Sequence, residues 1–241
     1  MNHALIARIF TLSVLCAVPA LAESIEGFVE FHGVAPAPAT LRRESDRFCA
    51  RAPAALDPAV RIRGNHLKDV WVRIVKGAPE QPGSPDRTVA VKQTGCMYEP
   101  HLVAMQAGNR LTIENADPVL HNVHAYASGS TLFNRAMPGP GVISLDKGAA
   151  LATSKLDGIV RFKCDVHGWM SGFVGVSHNP YFAVSSDDGS FRIENVPPGK
   201  YSLAAWHEKF GEKVVEVSVE PGRNEQVVFH YGQKLSEARP H

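Results

Sequence analysis

The sequence predicts an all-β protein of sandwich type. Short runs rich in Val, Ile, Phe and Tyr recur from end to end, bounded by Gly, Pro, Asn and Asp. Several of them alternate: Val215, Val217 and Val219 stand among Glu216, Ser218 and Glu220, as a half-buried strand requires. No long stretch places apolar residues at helical spacing.

In chain order, the first segment is an export signal. Arg8 precedes an apolar run from Ile9 to Val18, and Pro19-Ala20-Leu21-Ala22 supplies small residues for cleavage after Ala22. The run is shorter than the roughly 20 apolar residues a membrane span needs, and no later run is longer. A signal at 1–22 implies export to the periplasm. Strands are expected at Ile25–Phe31, Val70–Val75, Thr88–Lys92, Arg110–Glu114, Gly158–Cys164, Gly172–Ser177, Ser190–Glu194, Tyr201–Trp206, Lys213–Val219 and Glu225–Tyr231. Gly33–Val60, rich in Ala, Pro and Arg, and Gly77–Arg87, with its cluster of breakers, read as linkers. A change of character near His178-Asn179-Pro180 marks a second boundary, and 233–241 reads as a loose polar tail.

Charge excludes one class of partner. Lys+Arg total 25 against 24 Asp+Glu, and the signal removes one Arg, leaving a neutral mature chain. Nucleic-acid binding calls for a basic stripe that this balance does not supply. Cysteine points elsewhere. Cys16 leaves with the signal, and Cys49, Cys96 and Cys164 are an odd set in an oxidising compartment.

Cys164 stands in Phe162-Lys163-Cys164-Asp165-Val166-His167-Gly168-Trp169-Met170, and Leu120-His121-Asn122-Val123-His124 lies upstream. One thiolate, two imidazoles and a weak axial thioether are the donor set of a mononuclear type 1 copper centre. Cys164, His167 and Met170 fit a tight loop between two strands, with Gly168 and Gly172 expected to permit sharp backbone. Zinc is disfavoured by Met170. A catalytic Cys-His pair lacks an orienting third group. His124, three residues along a strand from His121, points to the opposite face and reads as structural.

These motifs, over about Thr88–Ser177, resemble the cupredoxin family, its amicyanin and plastocyanin-like members in particular. The resemblance implies a Greek-key sandwich and one copper ion cycling between Cu(I) and Cu(II) on His121, Cys164, His167 and Met170. It implies that Asn122 braces the ligand loop. Asp165 stands where relatives carry a hydroxyl residue and sets a negative charge near the copper. Val166 restores an N–H where related loops carry proline, and is expected to donate it to the Cys164 sulfur. In the family the loop imidazole is the exposed electron port. The resemblance implies that role for His167, in an apolar patch with Trp169, Met137 and Pro138. With Cys164 taken as ligand, Cys49 and Cys96 read as a disulfide, with two free thiols as the alternative.

Phe182–Trp206 resembles a carboxypeptidase-regulatory or transthyretin-like β-sandwich: Asp188-Gly189 as a hairpin turn, then Pro197-Pro198-Gly199 as the next. Residues 178–232 are short for a whole sandwich. Ile25–Phe31 and Val70–Val75 look like its opening strands. The expectation is a smaller, discontinuous sandwich, 23–80 plus 178–232, with the copper domain 88–177 inserted; the alternative is three pieces in a row. The functional expectation is a non-enzymatic periplasmic carrier of single electrons, partnered by a cytochrome c or a dehydrogenase. The alternative is copper binding or delivery without redox turnover.

Overall fold

A computed structural model describes residues 23–81, 83, 86–145 and 157–232. The signal at 1–22 and the tail at 233–241 lie outside the described residues. The strands are β1 (Glu23–His32), β2 (Ile62–Arg63), β3 (His66–Leu67), β4 (Trp71–Lys76), β5 (Thr88–Thr94), β6 (Met97–Glu99), β7 (Leu102–Gln106), β8 (Arg110–Asn115) and β9 (His121–Ala127). There follow β10 (Ser130–Met137), β11 (Gly141–Leu145), β12 (Gly158–Lys163), β13 (Ser171–Ser177), β14 (Phe182–Val184), β15 (Ser190–Val196), β16 (Gly199–His207), β17 (Gly211–Val219) and β18 (Glu225–Gly232). The protein is all-β; a single 3-10 turn, Cys49–Arg51, is the only helical element among the described residues.

Pairing divides the strands into two sandwiches. One is built from β5–β13: a sheet ordered β10-β9-β12-β13-β7 faces another ordered β11-β8-β5-β6. The other takes strands from both ends of the chain. β4 pairs with β14 and β16, and β1 pairs antiparallel with β15 and parallel with β18. Neither end can close this sandwich alone, so the β5–β13 sandwich is inserted in it. The expected Asp188-Gly189 hairpin does not form as such, because β14 and β15 belong to opposite sheets. Gly189, at φ +72°, turns the chain across the sandwich.

Period-two burial explains the layers. In β8, Leu111, Ile113 and Asn115 are buried while Arg110, Thr112 and Glu114 are less so. Each sandwich holds its own core, one around Tyr98, Phe162, Leu111 and Ile113, the other around Ile25, Leu67, Phe229 and Tyr231. A third cluster, Trp71, Leu102 and Phe173 with Trp206 against it, packs one sandwich on the other. The Trp71 ring lies against Gly175 so closely that an added Cβ would meet it at 2.5 Å. His101 faces Glu208 at 2.5 Å across this junction.

Candidate metal centre

Lys163 at the end of β12 pairs with Ser171 at the start of β13, which closes the loop 164–170. β12 also pairs with β9, Lys163 opposite His124, so His121 at the start of β9 arrives at the same end of the sheet. The fold therefore gathers the four sequence-predicted ligands at one edge of a core. His121 and Met170 are fully buried, and Cys164 and His167 are 1% and 2% exposed. The ligand atoms of His121, Cys164 and His167 all lie within 4.8 Å of one another. The two Nδ1 atoms are 2.9 Å apart, and Cys164 Sγ lies 3.8 Å from His167 Nδ1. Within the loop, Met170 N–H donates to His167 O at 2.9 Å and Cys164 N–H to Met170 O at 3.2 Å.

These residues fit a metal. An ion about 2.0 Å from each imidazole nitrogen and about 2.3 Å from a thiolate holds those atoms roughly 3–4 Å apart. Two buried Nδ1 lone pairs facing each other need a proton or a cation between them.

The far side of each imidazole is defined as well. His121 Nε2 lies 2.9 Å from Asp117 Oδ2. The Asp117 carboxylate also accepts the N–H groups of Gly95 and Cys96, both at 2.8 Å. It is 3% exposed, and it joins the β5–β6 turn to the ligand strand. With Nε2–H given to Asp117, Nδ1 is left free to coordinate. Burial holds His121 below the ordinary histidine pKa, against the opposing pull of Asp117. His167 Nε2 faces Asp46 Oδ2 at 3.6 Å and Cys49 Sγ at 3.7 Å. Asp46 Oδ1 accepts Cys49 N–H and Phe48 N–H at 2.9 and 2.8 Å, and these bonds, the one from Cys49 foremost, lower its pKa. Sequence reading missed both carboxylates. Asp117-Pro118, four residues ahead of His121, was the available signal for one; Asp46 sits in a segment with no pattern at all.

The loop is braced by Asn122. Its Oδ1 accepts Asp165 N–H at 2.6 Å, and its Nδ2 donates to Asp165 Oδ2 at 2.9 Å. Asn134 Nδ2 and His124 Nδ1 approach the same carboxylate oxygen at 2.8 and 3.0 Å. Asn134 foremost, then His124, hold the Asp165 pKa low. Beneath, the Tyr98 hydroxyl donates to Asn122 O at 2.8 Å, tying β6 to the ligand strand.

Several expectations need correction. His167 is not an exposed port. The segment read as a linker folds over it: Cys49 is joined to Cys96 with their Cα atoms 5.7 Å apart, and Asp46 and Cys49 sit on the imidazole. Arg43, 5% exposed, fastens this strap through bonds to Gly95 O, Ala52 O and Pro53 O. Met137 is buried at 4%, because it pairs with His121 across β9 and β10; Pro138 is exposed. Trp169 is half-buried, its ring 5.1 Å from that of His167 and its Nε1 donating to Cys96 O at 3.0 Å. The backbone N–H that reaches the Cys164 sulfur is that of His167, at 3.4 Å, and not that of Val166. A turn that brings residue i+3 back over residue i aims the third N–H, not the second, at the sulfur, and Val166 is left 49% exposed. Gly168 and Gly172 do not adopt left-handed backbone. Gly172 is required by close approach, with Tyr98 Cβ 3.0 Å from where its own Cβ would be, whereas a Cβ at Gly168 meets nothing.

The family model described as polysaccharide lyase family 4, domain II, matches residues 150–227. That replaces the carboxypeptidase-regulatory resemblance; the common element is a β-sandwich module, and the matched range runs from the inserted sandwich into the outer one. No curated protein matches. Among solved structures, the chain is similar to a reduced amicyanin variant: 24% identity, 44% of this chain and 98% of that one, TM-score 0.32. A second amicyanin variant in its Cu(I) form shares 22% identity over 44% of this chain and 98% of that one, TM-score 0.32. A purple cupredoxin from Nitrosopumilus maritimus shares 21% over 36% and 98%, TM-score 0.30.

Proposed function

We propose that this protein is a periplasmic type 1 copper protein that carries single electrons. The observation behind this reading is the convergence of two imidazole Nδ1 atoms and one thiol sulfur at a buried point, with Met170 on the same loop. Copper held there supplies a one-electron Cu(I)/Cu(II) couple, and a thiolate, two imidazoles and a weak thioether suit both states. The protein's part is to hold that donor set still. Asp117 orients His121, Asn122 and Asp165 clamp the loop, and the strap excludes water from His167. A rigid, dry site changes shape little between oxidation states. The four donor residues are each 2% exposed or less, which leaves a substrate no open approach to the ion, so the reading is a carrier, with a cytochrome c or a dehydrogenase as the class of partner.

The test is copper loading of the full chain. An intense visible thiolate-to-copper charge-transfer band, bleached reversibly by reductant, is expected, and Cys164→Ser should abolish it. Strong blue colour surviving in that variant would show that the sulfur ligand is misassigned.

One observation favours a second reading, copper holding without redox turnover. His167 is 2% exposed beneath Asp46 and Cys49, so a protein partner cannot touch the imidazole directly. A loaded protein that stays colourless and Cu(I)-bound under air would support it. Rapid exchange with a redox protein, slowed by Trp169→Ala, supports the carrier with Trp169 as its outlet.

A further inference from the structure

β1 and β18 run parallel and in register from Ile25–Glu225 to His32–Gly232. Val29, Phe31, Phe229 and Tyr231 face the outer core, which turns Glu30, His32 and His230 to the other side of the sheet. There their polar atoms meet. His32 Nε2 lies 3.0 Å from Glu30 Oε2 and 3.0 Å from His230 Nδ1, and His230 Nδ1 lies 3.3 Å from Glu30 Oε2. The rings stand at 47° with centroids 5.0 Å apart, so they meet at their nitrogen edges and do not stack.

A triangle of two imidazole nitrogens and one carboxylate oxygen is hard to satisfy with protons. A neutral imidazole offers one N–H and one in-plane lone pair. A single N–H on His32 Nε2 cannot point at both neighbours, and if His32 Nε2–H and His230 Nδ1–H both donate to Glu30 Oε2, two N–H nitrogens are left against each other at 3.0 Å. A metal ion satisfies all three at once. Bonds of about 2.0–2.2 Å to imidazole nitrogen and carboxylate oxygen place such donors about 3 Å apart.

We propose that Glu30, His32 and His230 form a second metal site, which binds Cu(II) at the protein surface. The donor set selects the ion. It has no thiolate or thioether to favour Cu(I), and imidazole with carboxylate binds Cu(II) above Zn(II) in the order of divalent affinities. The side chains of Glu30, His32 and His230 are 24%, 19% and 56% exposed, so further positions on the ion stay open to water. This is the opposite of the buried thiolate centre, and it does not depend on the reading given to that centre.

The experiment uses the full chain carrying Cys164→Ser with His121→Ala, so that the buried site keeps one imidazole and a thioether and no longer competes for Cu(II). Cu(II) titration followed by electron paramagnetic resonance should show one equivalent bound with nitrogen couplings and no blue band. His32→Ala with His230→Ala should weaken binding at least 100-fold, and Glu30→Gln by about tenfold. Should the double variant fail to fold, as judged by unfolding of the apo protein, His230→Gln at the most exposed position decides. Uptake that is absent, or unchanged in these variants, overturns the site; Zn(II) outcompeting Cu(II) overturns the choice of ion. A blue band in the wild-type protein is unaffected by any of these results, so the two proposals fail separately.

Discussion

Asp117 shows how much one side chain can carry. Its carboxylate takes His121 Nε2–H and the N–H groups of Gly95 and Cys96. In Asp117→Asn the amide group must point an N–H at one of these donors. Copper affinity should fall about 10–100-fold, as it does when a partner behind a ligating histidine is lost. Chelator competition against the loaded protein measures this, and an unchanged affinity would remove Asp117 from the site's support. Gly168 is the contrasting case. Its backbone is not left-handed and a Cβ there meets nothing. Gly168→Ala should therefore leave the fold intact and stabilise it by about 0.4–1 kcal/mol, by restricting the unfolded chain. Urea unfolding decides, and a loss of stability would mean that the loop needs the freedom of glycine after all.

At the scale of elements, the strap is the part that changes the behaviour of the site. It has almost no regular structure: one isolated bridge, Thr40 to Leu56, and the turn at Cys49–Arg51. Covalent attachment compensates. Closing a loop across a sequence separation of 47 restricts the unfolded chain by about 4 kcal/mol. Cys49→Ala with Cys96→Ala should lower stability by up to that amount, less whatever Arg43 still holds. The same variant should make His167 reactive toward an imidazole-acylating reagent, with peptide mapping as the readout. A protected His167 in the variant would show that contacts other than the disulfide hold the strap down.

Across the whole molecule, a histidine buried against the core of the outer sandwich makes stability depend on pH. His207 is 1% exposed, stacked on Phe210 with centroids 4.7 Å apart. Burial, with the charges of His101 and Lys209 adding to it, lowers its pKa from 6.5 to about 4. The unfolded chain then takes up this proton more readily than the folded one. The contribution of His207 is complete above pH 6.5 and is lost as pH falls through the window down to about 4. The loss is about 3 kcal/mol over that window. Urea unfolding at pH 7, 5.5 and 4 should show a slope that flattens in His207→Phe; equal slopes would place the pH dependence elsewhere.

Period-two alternation in β1, β8, β17 and β18 made the all-β class legible in the sequence, because each strand buries one face. β10 was missed because it is an edge strand with most residues exposed, so it carries no alternation to read. The short Cys-x-x-His-x-x-Met loop and the upstream His121 were legible as candidate metal donors, and the fold brings His121, Cys164 and His167 together. What lies behind those donors was not. Asp117, Asp46 and the cover over His167 come from segments distant along the chain, and the meeting of Glu30 and His32 with His230 depends on a parallel pairing of the two chain ends. Local sequence records what a residue can do within a strand or a turn. Which residues from elsewhere in the chain come to rest against it is decided by how the sheets close, and only the tertiary structure carries that.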